Sequence, residues 1–437
     1  MLQTPDALIL NDTWSDVRAS YDLKEPDLDR LHAYRQSRLQ DSMRRHGVAC
    51  LIQHSPISLR YAIDYQTYAL YQSHMPETYL FMSPDGPSIL HGAYVDLKGV
   101  DAYRTARAIS FFCGGFDLAE QSEKLADDVV TYLSEIGQPQ GRVAIEYVNP
   151  SLTQALGRHG IEVIDGSPVA EAARIHKSAD EITAMTWACA VADLGISKLK
   201  ETLRPGVTER QLWGILNYTN LANQGDWHDG RMLASGPRTN PWYQEATLRK
   251  VEAGELVGFD TDMIGPFGYF ADVSRTIHCG PTGPTKEQRH LYQLAYAEVQ
   301  HNLALVRPGV TFAEFQDQAF QQDPIYHKGA YTCLVHAVGM CDEYPRINPG
   351  FRGPNPYEGE IEAGMVLCIE SYVGAEGGKE GVKLEQQVHV TEDGYELLSH
   401  TPFEESLLQK EKTRARRLRF LPREGAAHVP FPRSLCP

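Results

Sequence analysis

The sequence predicts a two-domain protein of the α/β (α+β) class. A smaller N-terminal α/β domain is followed by a larger C-terminal unit folded about a pseudo-two-fold axis. Three observations carry this. Apolar, strand-like runs ("VACLIQHS", "TYLFMS", "SILHGAY", "RVAIEYV") alternate with helical segments up to about residue 175, as in a single α/β layer arrangement. Beyond that point "LRPGVTERQL" at 203–212 recurs as "VRPGVTFAEF" at 306–315. In the same order, "EAGELVGFD" at 252–260 recurs as "EAGMVLCIE" at 362–370, and two ordered matches imply a duplicated unit.

The elements follow in order. Residues 1–29 read as an N-terminal arm, and residues 30–175 as the first domain. That domain opens on an amphipathic helix from Arg30 to His46. Leu31, Tyr34, Leu39 and Met43 recur at roughly helical spacing, and Gly47 ends it. The second domain, 176–437, opens on a long helix entered through Ser178 with Glu181 three residues on, a capping-box pattern. Each copy of the repeat then runs helix, Pro-Gly-Val-Thr turn, helix, Glu-Ala-Gly turn, and a strand ending in a carboxylate. Asp260 and Glu370 hold the same place in the two copies. A pseudo-two-fold would bring those strands face to face around one pocket. The basic run "KEKTRARRLRF" reads as a solvated helix or tail.

Bulk properties exclude several partners. The chain has 437 residues and a formal net charge of −16, which argues against nucleic acid or an anionic membrane as a partner. No stretch approaches the roughly 20 apolar residues that span a bilayer. The opening "MLQTPDALILNDTWSD" lacks the basic flank and apolar run of a signal peptide. Eight scattered cysteines without close pairs fit a reducing compartment. A cytoplasmic enzyme is the expectation.

The chemistry concentrates in "GFDTDMIGPFGYFADVSRT", residues 258–276, which carries Asp260, Asp262 and Asp272. Residues two apart on a strand share a face, so Asp260 and Asp262 are expected to point the same way. Glu385 in "VKLEQQV" follows the second copy as Asp272 follows the first, and "CLVHAVGMCDEYP" adds one imidazole, His336. Five converging carboxylates repel by several kcal/mol at low dielectric unless cations neutralise them. A metal pair about 3.5–4 Å apart with bridging carboxylates does so. The ligand set, rich in oxygen with one nitrogen and no sulfur, fits iron, manganese, cobalt or zinc without choosing among them, and iron is the expectation.

These residues, in the order Asp, Asp, His, Glu, Glu on a duplicated unit, resemble the pita-bread metallohydrolases: creatinase, prolidase, aminopeptidase P and methionine aminopeptidase. The resemblance runs from about residue 30 to 405. It includes "SPISLRYAIDY", like a turn of the creatinase-type N-terminal domain, and "IHKSADEI" at the domain junction. Two departures matter. Trp242 in "SGPRTNPWYQ" and Asp342 in "HAVGMCDEYP" stand where peptidases of this group carry histidines. "SGPRTNPWYQE", "FDTDMIG", "YTCLVHAVGMCDEYP" and "VKLEQQVHVTEDGYE" are similar to stretches of the DddP-type dimethylsulfoniopropionate lyases, pita-bread proteins that are not peptidases. The resemblance implies two metal ions on Asp260, Asp262, Asp272, His336, Glu370 and Glu385, with Asp342 as catalytic base and Tyr331 beside it. It also implies a homodimer acting on a small carboxylate bearing a sulfonium.

That family's reaction is a β-elimination releasing dimethyl sulfide. Burial and neighbouring acids are expected to raise the pKa of Asp342 toward working pH, which would improve it as a base. No acid is needed for a neutral leaving group. Trp242 offers a ring face to a sulfonium, Tyr331 a hydroxyl to the substrate carboxylate, and Arg238 is expected near that carboxylate. The alternatives are an Xaa-Pro dipeptidase or aminopeptidase, another enzyme cleaving C–N or C–S bonds of a small carboxylate, and a catalytically silent binding module.

Overall fold

The computed structural model describes residues 21, 23–66, 69–92, 105–108, 118–147 and 149–409. Most of the expected N-terminal arm, and the whole of the basic run near the C-terminus, lie outside the described residues. The first helix spans Leu28–His46. Asp27 caps it by accepting from the Arg30 amide, and Gly47 closes it at φ 63°, a left-handed conformation that glycine adopts without strain. Leu31, Leu39 and Met43 face inward.

That helix covers a six-stranded sheet in the order β4-β3-β2-β1-β5-β6. The strands are β1 (Cys50–Gln53), β2 (Thr78–Met82), β3 (Ile89–Gly92), β4 (Thr105–Ala108), β5 (Val143–Ile145) and β6 (Val163–Asp165). β1 runs antiparallel to β2 and parallel to β5. The helix Leu118–Glu135 seals one face, burying Leu125, Val129 and Tyr132 against Ile52 and Phe81. Each such large side chain contributes about 1.5–3 kcal/mol on burial.

The domain junction is the 24-residue helix Ala179–Thr202, whose Ser178–Glu181 capping box forms as the sequence indicates. Arg30 clasps its first turn, donating from Nε to Asp180 Oδ2 at 2.5 Å and from Nη2 to Oδ1 at 2.7 Å.

The internal echo becomes two matched half-units. Thr208 and Thr311 each form a capping box, opening the helices Glu209–Ala222 and Phe312–Gln318. The first half supplies a three-stranded sheet in the order β11-β8-β7, from β7 (Leu233–Ser235), β8 (Leu256–Phe259) and β11 (Arg275–His278). A short ribbon of β9 (Met263–Ile264) and β10 (Phe270–Ala271) lies between β8 and β11 in sequence. The second half supplies a five-stranded sheet in the order β13-β12-β14-β15-β16. Its strands are β12 (Val335–Val338), β13 (Asp342–Ile347), β14 (Val366–Val373), β15 (Val382–Val390) and β16 (Tyr395–Leu397). The halves join where β11 meets β15. Thr276 Oγ1 donates to the Lys383 carbonyl and accepts from its amide, and the Glu385 amide donates to Ser274 O. The acidic strands meet along this seam.

Candidate metal centre

β8 ends at Phe259, and the next three residues break the strand, with Asp262 at φ 37°. The expected pleat alternation therefore does not apply to Asp260 and Asp262; a kink aims them instead. Thr261 holds the kink, donating through Oγ1 to Ala271 O at 2.7 Å and accepting from the Val273 amide at 2.9 Å. As a result Asp260, Asp262 and Asp272 bring ligand atoms within 4.8 Å of one another. The second half adds His336 from β12, Glu370 from β14 and Glu385 from β15, the two glutamates lying directly opposite in register. His336 Nε2 is 3.5 Å from Asp272 Oδ2, 3.5 Å from Glu370 Oε1 and 3.4 Å from Glu385 Oε1. All six residues expected as ligands converge.

Asp272 belongs to two ligand groups, one with Asp260 and Asp262, the other with His336, Glu385 and Cys368. Asp272 is thus within reach of both groups. Asp260 Oδ1 and Asp272 Oδ1 are buried without a hydrogen-bond partner. Buried carboxylate oxygens with no donor are costly, so this donor set fits divalent cations.

One cation is already present in the chain. Lys383, fully buried on β15, places Nζ 3.1 Å from Asp260 Oδ2, 2.9 Å from Glu370 Oε2 and 3.4 Å from Glu385 Oε2. It also donates to Ser274 Oγ at 2.7 Å. Glu370 Oε2 is close to that ammonium yet lies outside hydrogen-bond geometry. One ammonium cannot offset five carboxylates. Burial, then the neighbouring carboxylates, push Asp262 and Asp272 well above the usual range. Burial likewise carries Glu370 up to about 7, with Lys383 pulling the other way. For Glu385, Lys383 and His336 outweigh burial and hold it low. The two glutamates share one ammonium and shift oppositely, so the firm conclusion concerns the cluster. It must take up protons or metal at neutral pH.

A cavity of about 270 Å³ opens onto this cluster, lined by Asp262, Asp272, His336, Tyr331, Asp342 and Arg346 among others. Asp342 Oδ1 is 3.4 Å from His336 Nδ1, but its side chain is 71% exposed. The burial expected for Asp342 is therefore absent, because burial alternates along β13 and Asp342 falls on the outward face that turns to the cavity. Its neighbour Glu343 is the buried one, held by Lys177 Nζ at 2.9 Å and Arg174 Nε at 3.0 Å. Tyr331 stacks on Tyr243 with centroids 5.3 Å apart and lies 4.4 Å beneath Lys383 Nζ. Burial first, then Glu370 and Asp260, push its phenol far up, so it is a hydroxyl donor rather than a phenolate.

Two further residues stand elsewhere than expected. Trp242 is only 4% exposed and does not line the cavity. Its ring packs 5.9 Å from Tyr372, and the nearby cation is Lys383, 6.0 Å away. Arg238 is spoken for by Glu209 and by Glu245 O at 2.9 Å, away from the cavity. Sequence reasoning also missed Lys383, Cys368 and Cys333, whose Sγ lies 3.0 Å from Glu370 Oε1. The signal for two of them was available. Lys383 and Cys368 each precede a glutamate ligand by two on a strand, and so share its face.

Comparison with known proteins agrees with this architecture. Residues 183–392 match metallopeptidase family M24, and residues 35–176 match the creatinase/prolidase N-terminal domain. A protein of Roseovarius nubinhibens named dimethylsulfoniopropionate lyase DddP is 32% identical over 402 residues, covering 89% of this chain and 90% of that one. Its namesake from Roseobacter denitrificans is 33% identical, covering 88% of each. Among solved structures, an Xaa-Pro dipeptidase from Bacillus anthracis superposes with a TM-score of 0.68 at 21% identity, covering 85% of this chain and 98% of that one. That last likeness shows the fold.

Proposed function

The chain belongs to the pita-bread superfamily, joining a creatinase/prolidase N-terminal domain to a metallopeptidase family M24 domain, and stands with its DddP-type members; from that premise we propose that it is a metal-dependent carbon–sulfur lyase. The substrate in this reading is dimethylsulfoniopropionate, cleaved to dimethyl sulfide and acrylate. The observation that carries it is Asp342, a carboxylate beside His336 at the edge of the acid cluster and facing the same cavity.

Asp260, Asp262, Asp272, His336, Glu370 and Glu385 would hold two divalent ions. When bound, such a pair supplies Lewis acidity to the substrate carboxylate and lowers the cost of charge developing next to it. The chain's own residues do the rest. Asp342 takes the proton from the carbon next to the carboxylate. The C–H electron pair becomes the new double bond, and the C–S bond breaks with its pair leaving on sulfur as neutral dimethyl sulfide. No side chain has to protonate the leaving group. The exposure of Asp342 then serves turnover, because its proton passes directly to water. Tyr331, held as a neutral hydroxyl, can donate to the carboxylate. Lys383 offsets one carboxylate and keeps Asp260, Glu370 and Glu385 in place between turnovers. A homodimer and a cytoplasmic location are part of the same proposal; among the described residues no helix is long and apolar enough to cross a membrane.

A peptidase would need an acid for the departing amine, and neither Trp242 in its packed place nor Asp342 acting as a base supplies one. The test is metal-reconstituted protein offered the sulfonium compound beside Xaa-Pro dipeptides. Release of dimethyl sulfide with dipeptide turnover well below about 1 s⁻¹, the low end of ordinary enzymes, is the expected result. Dipeptide hydrolysis without dimethyl sulfide would overturn the reading.

A further inference from the structure

We propose that Arg346 is a substrate-anchoring residue that binds the carboxylate of the small molecule entering the metal cavity. Among the described residues lining that cavity it is the only lysine or arginine, and it stands among Glu171, Asp262, Asp272, Asp342 and Glu343. Glu343 is already matched by Lys177 and Arg174. The others leave the cavity mouth acidic, a barrier to any anion. Arg346 has no carboxylate or carbonyl partner among the described residues. An unpaired guanidinium at the rim of an acidic cavity is free to meet a ligand.

Its direction follows from strand register. β12 and β13 pair antiparallel, with Val338 opposite Asp342 and, across a bulge, His336 opposite Arg346. Directly opposed residues share a face, and His336 and Val338 share one by alternation. Asp342, His336 and Arg346 therefore project from the same side. The bulge puts two residues, Tyr344 and Pro345, between the paired segments, and an even insertion keeps Asp342 and Arg346 on one face. Tyr344 and Tyr357, edge to face with centroids 5.2 Å apart, wall the cavity on the Arg346 side. A carboxylate on the guanidinium fork would leave its neighbouring carbon toward His336 and Asp342. Arginine suits this because its planar fork can hold one oxygen of the carboxylate while the other oxygen faces the acid cluster.

The identity of the substrate here rests on the lyase reading, but the anchor is tested without turnover. Propionate, a bare carboxylate of the same carbon length, is titrated calorimetrically into metal-loaded wild type, Arg346→Gln and Arg346→Lys, with propionamide as the neutral control. Arg346 is exposed and unpaired, so neither substitution removes a structural contact. The expected result is propionate affinity lower by about 10- to 100-fold in Arg346→Gln, partly restored in Arg346→Lys, with propionamide unchanged. Where dimethyl sulfide is released, KM should rise by a similar factor while kcat moves little, the signature of lost uniform binding. Wild-type propionate affinity in Arg346→Gln overturns the anchor and leaves the lyase reading intact. Lost propionate affinity in a protein whose wild type releases no dimethyl sulfide keeps the anchor and overturns the lyase reading.

Discussion

At the scale of single residues, the centre is governed by uncompensated charge. Lys383 is buried against three carboxylates, and removing one member of a buried ion cluster costs about 3–5 kcal/mol because the rest are left without a partner. Lys383→Met should therefore unfold at markedly lower denaturant concentration than wild type when both are stripped with chelator. The gap should narrow once metal is restored, and equal gaps in both states would show that Lys383 does not act on the acid cluster. Behind the site, Glu298 accepts from Ser371 Oγ at 2.5 Å and from Gln322 Nε2 at 2.6 Å. Burial lifts it from 4.5 to about 7. Between those values the folded chain keeps a proton that the unfolded chain has lost, so stability falls as pH rises through this window. Glu298→Gln has no such proton. It should gain on wild type by about 1–3 kcal/mol between pH 5 and pH 8 in denaturant titrations; parallel pH profiles would contradict this.

At the scale of elements, the helix Ala179–Thr202 sets the junction on which both domains pack. Its capping box satisfies the Glu181 amide through Ser178 and the Ser178 amide through Glu181. Ser178→Ala should cost about 1 kcal/mol of unfolding free energy and leave metal content unchanged, since the cap touches no ligand; metal loss would mean the junction positions the centre. This cap was legible in the sequence because its signal is local, as were the Gly47 terminator and the two Thr-capped repeats. The convergence of the ligands was legible too, from repeat logic rather than from contacts. Three features were not. The Asp260–Asp262 kink depends on Thr261 bonding across to Ala271 and Val273, which periodicity does not reveal. The exposure of Asp342 depends on which face of β13 turns to the cavity, a matter of how that strand packs. The burial of Trp242 against Tyr372 depends on a partner 130 residues away in the chain. Where tertiary placement decides, residue type alone misleads.

At the scale of the whole molecule, neither half holds the site alone. The first half brings three aspartates, the second brings His336, Glu370, Glu385 and Lys383, and the seam of β11 with β15 closes them together. Onto that shared centre the second half adds one exposed carboxylate, Asp342, and one unpaired guanidinium, Arg346, at the cavity. In the proposed reaction Asp342 removes a proton instead of holding metal. The most direct measurement is metal content and dimethyl sulfide release on one preparation of Asp342→Asn. The substitution is nearly isosteric, at an exposed position outside the two ligand groups. The expected result is a full complement of metal with release lowered by about 10²–10⁴-fold, the usual contribution of a positioned general base. Full metal with near-normal release would contradict it, as would a loss of rate that only tracks a loss of metal.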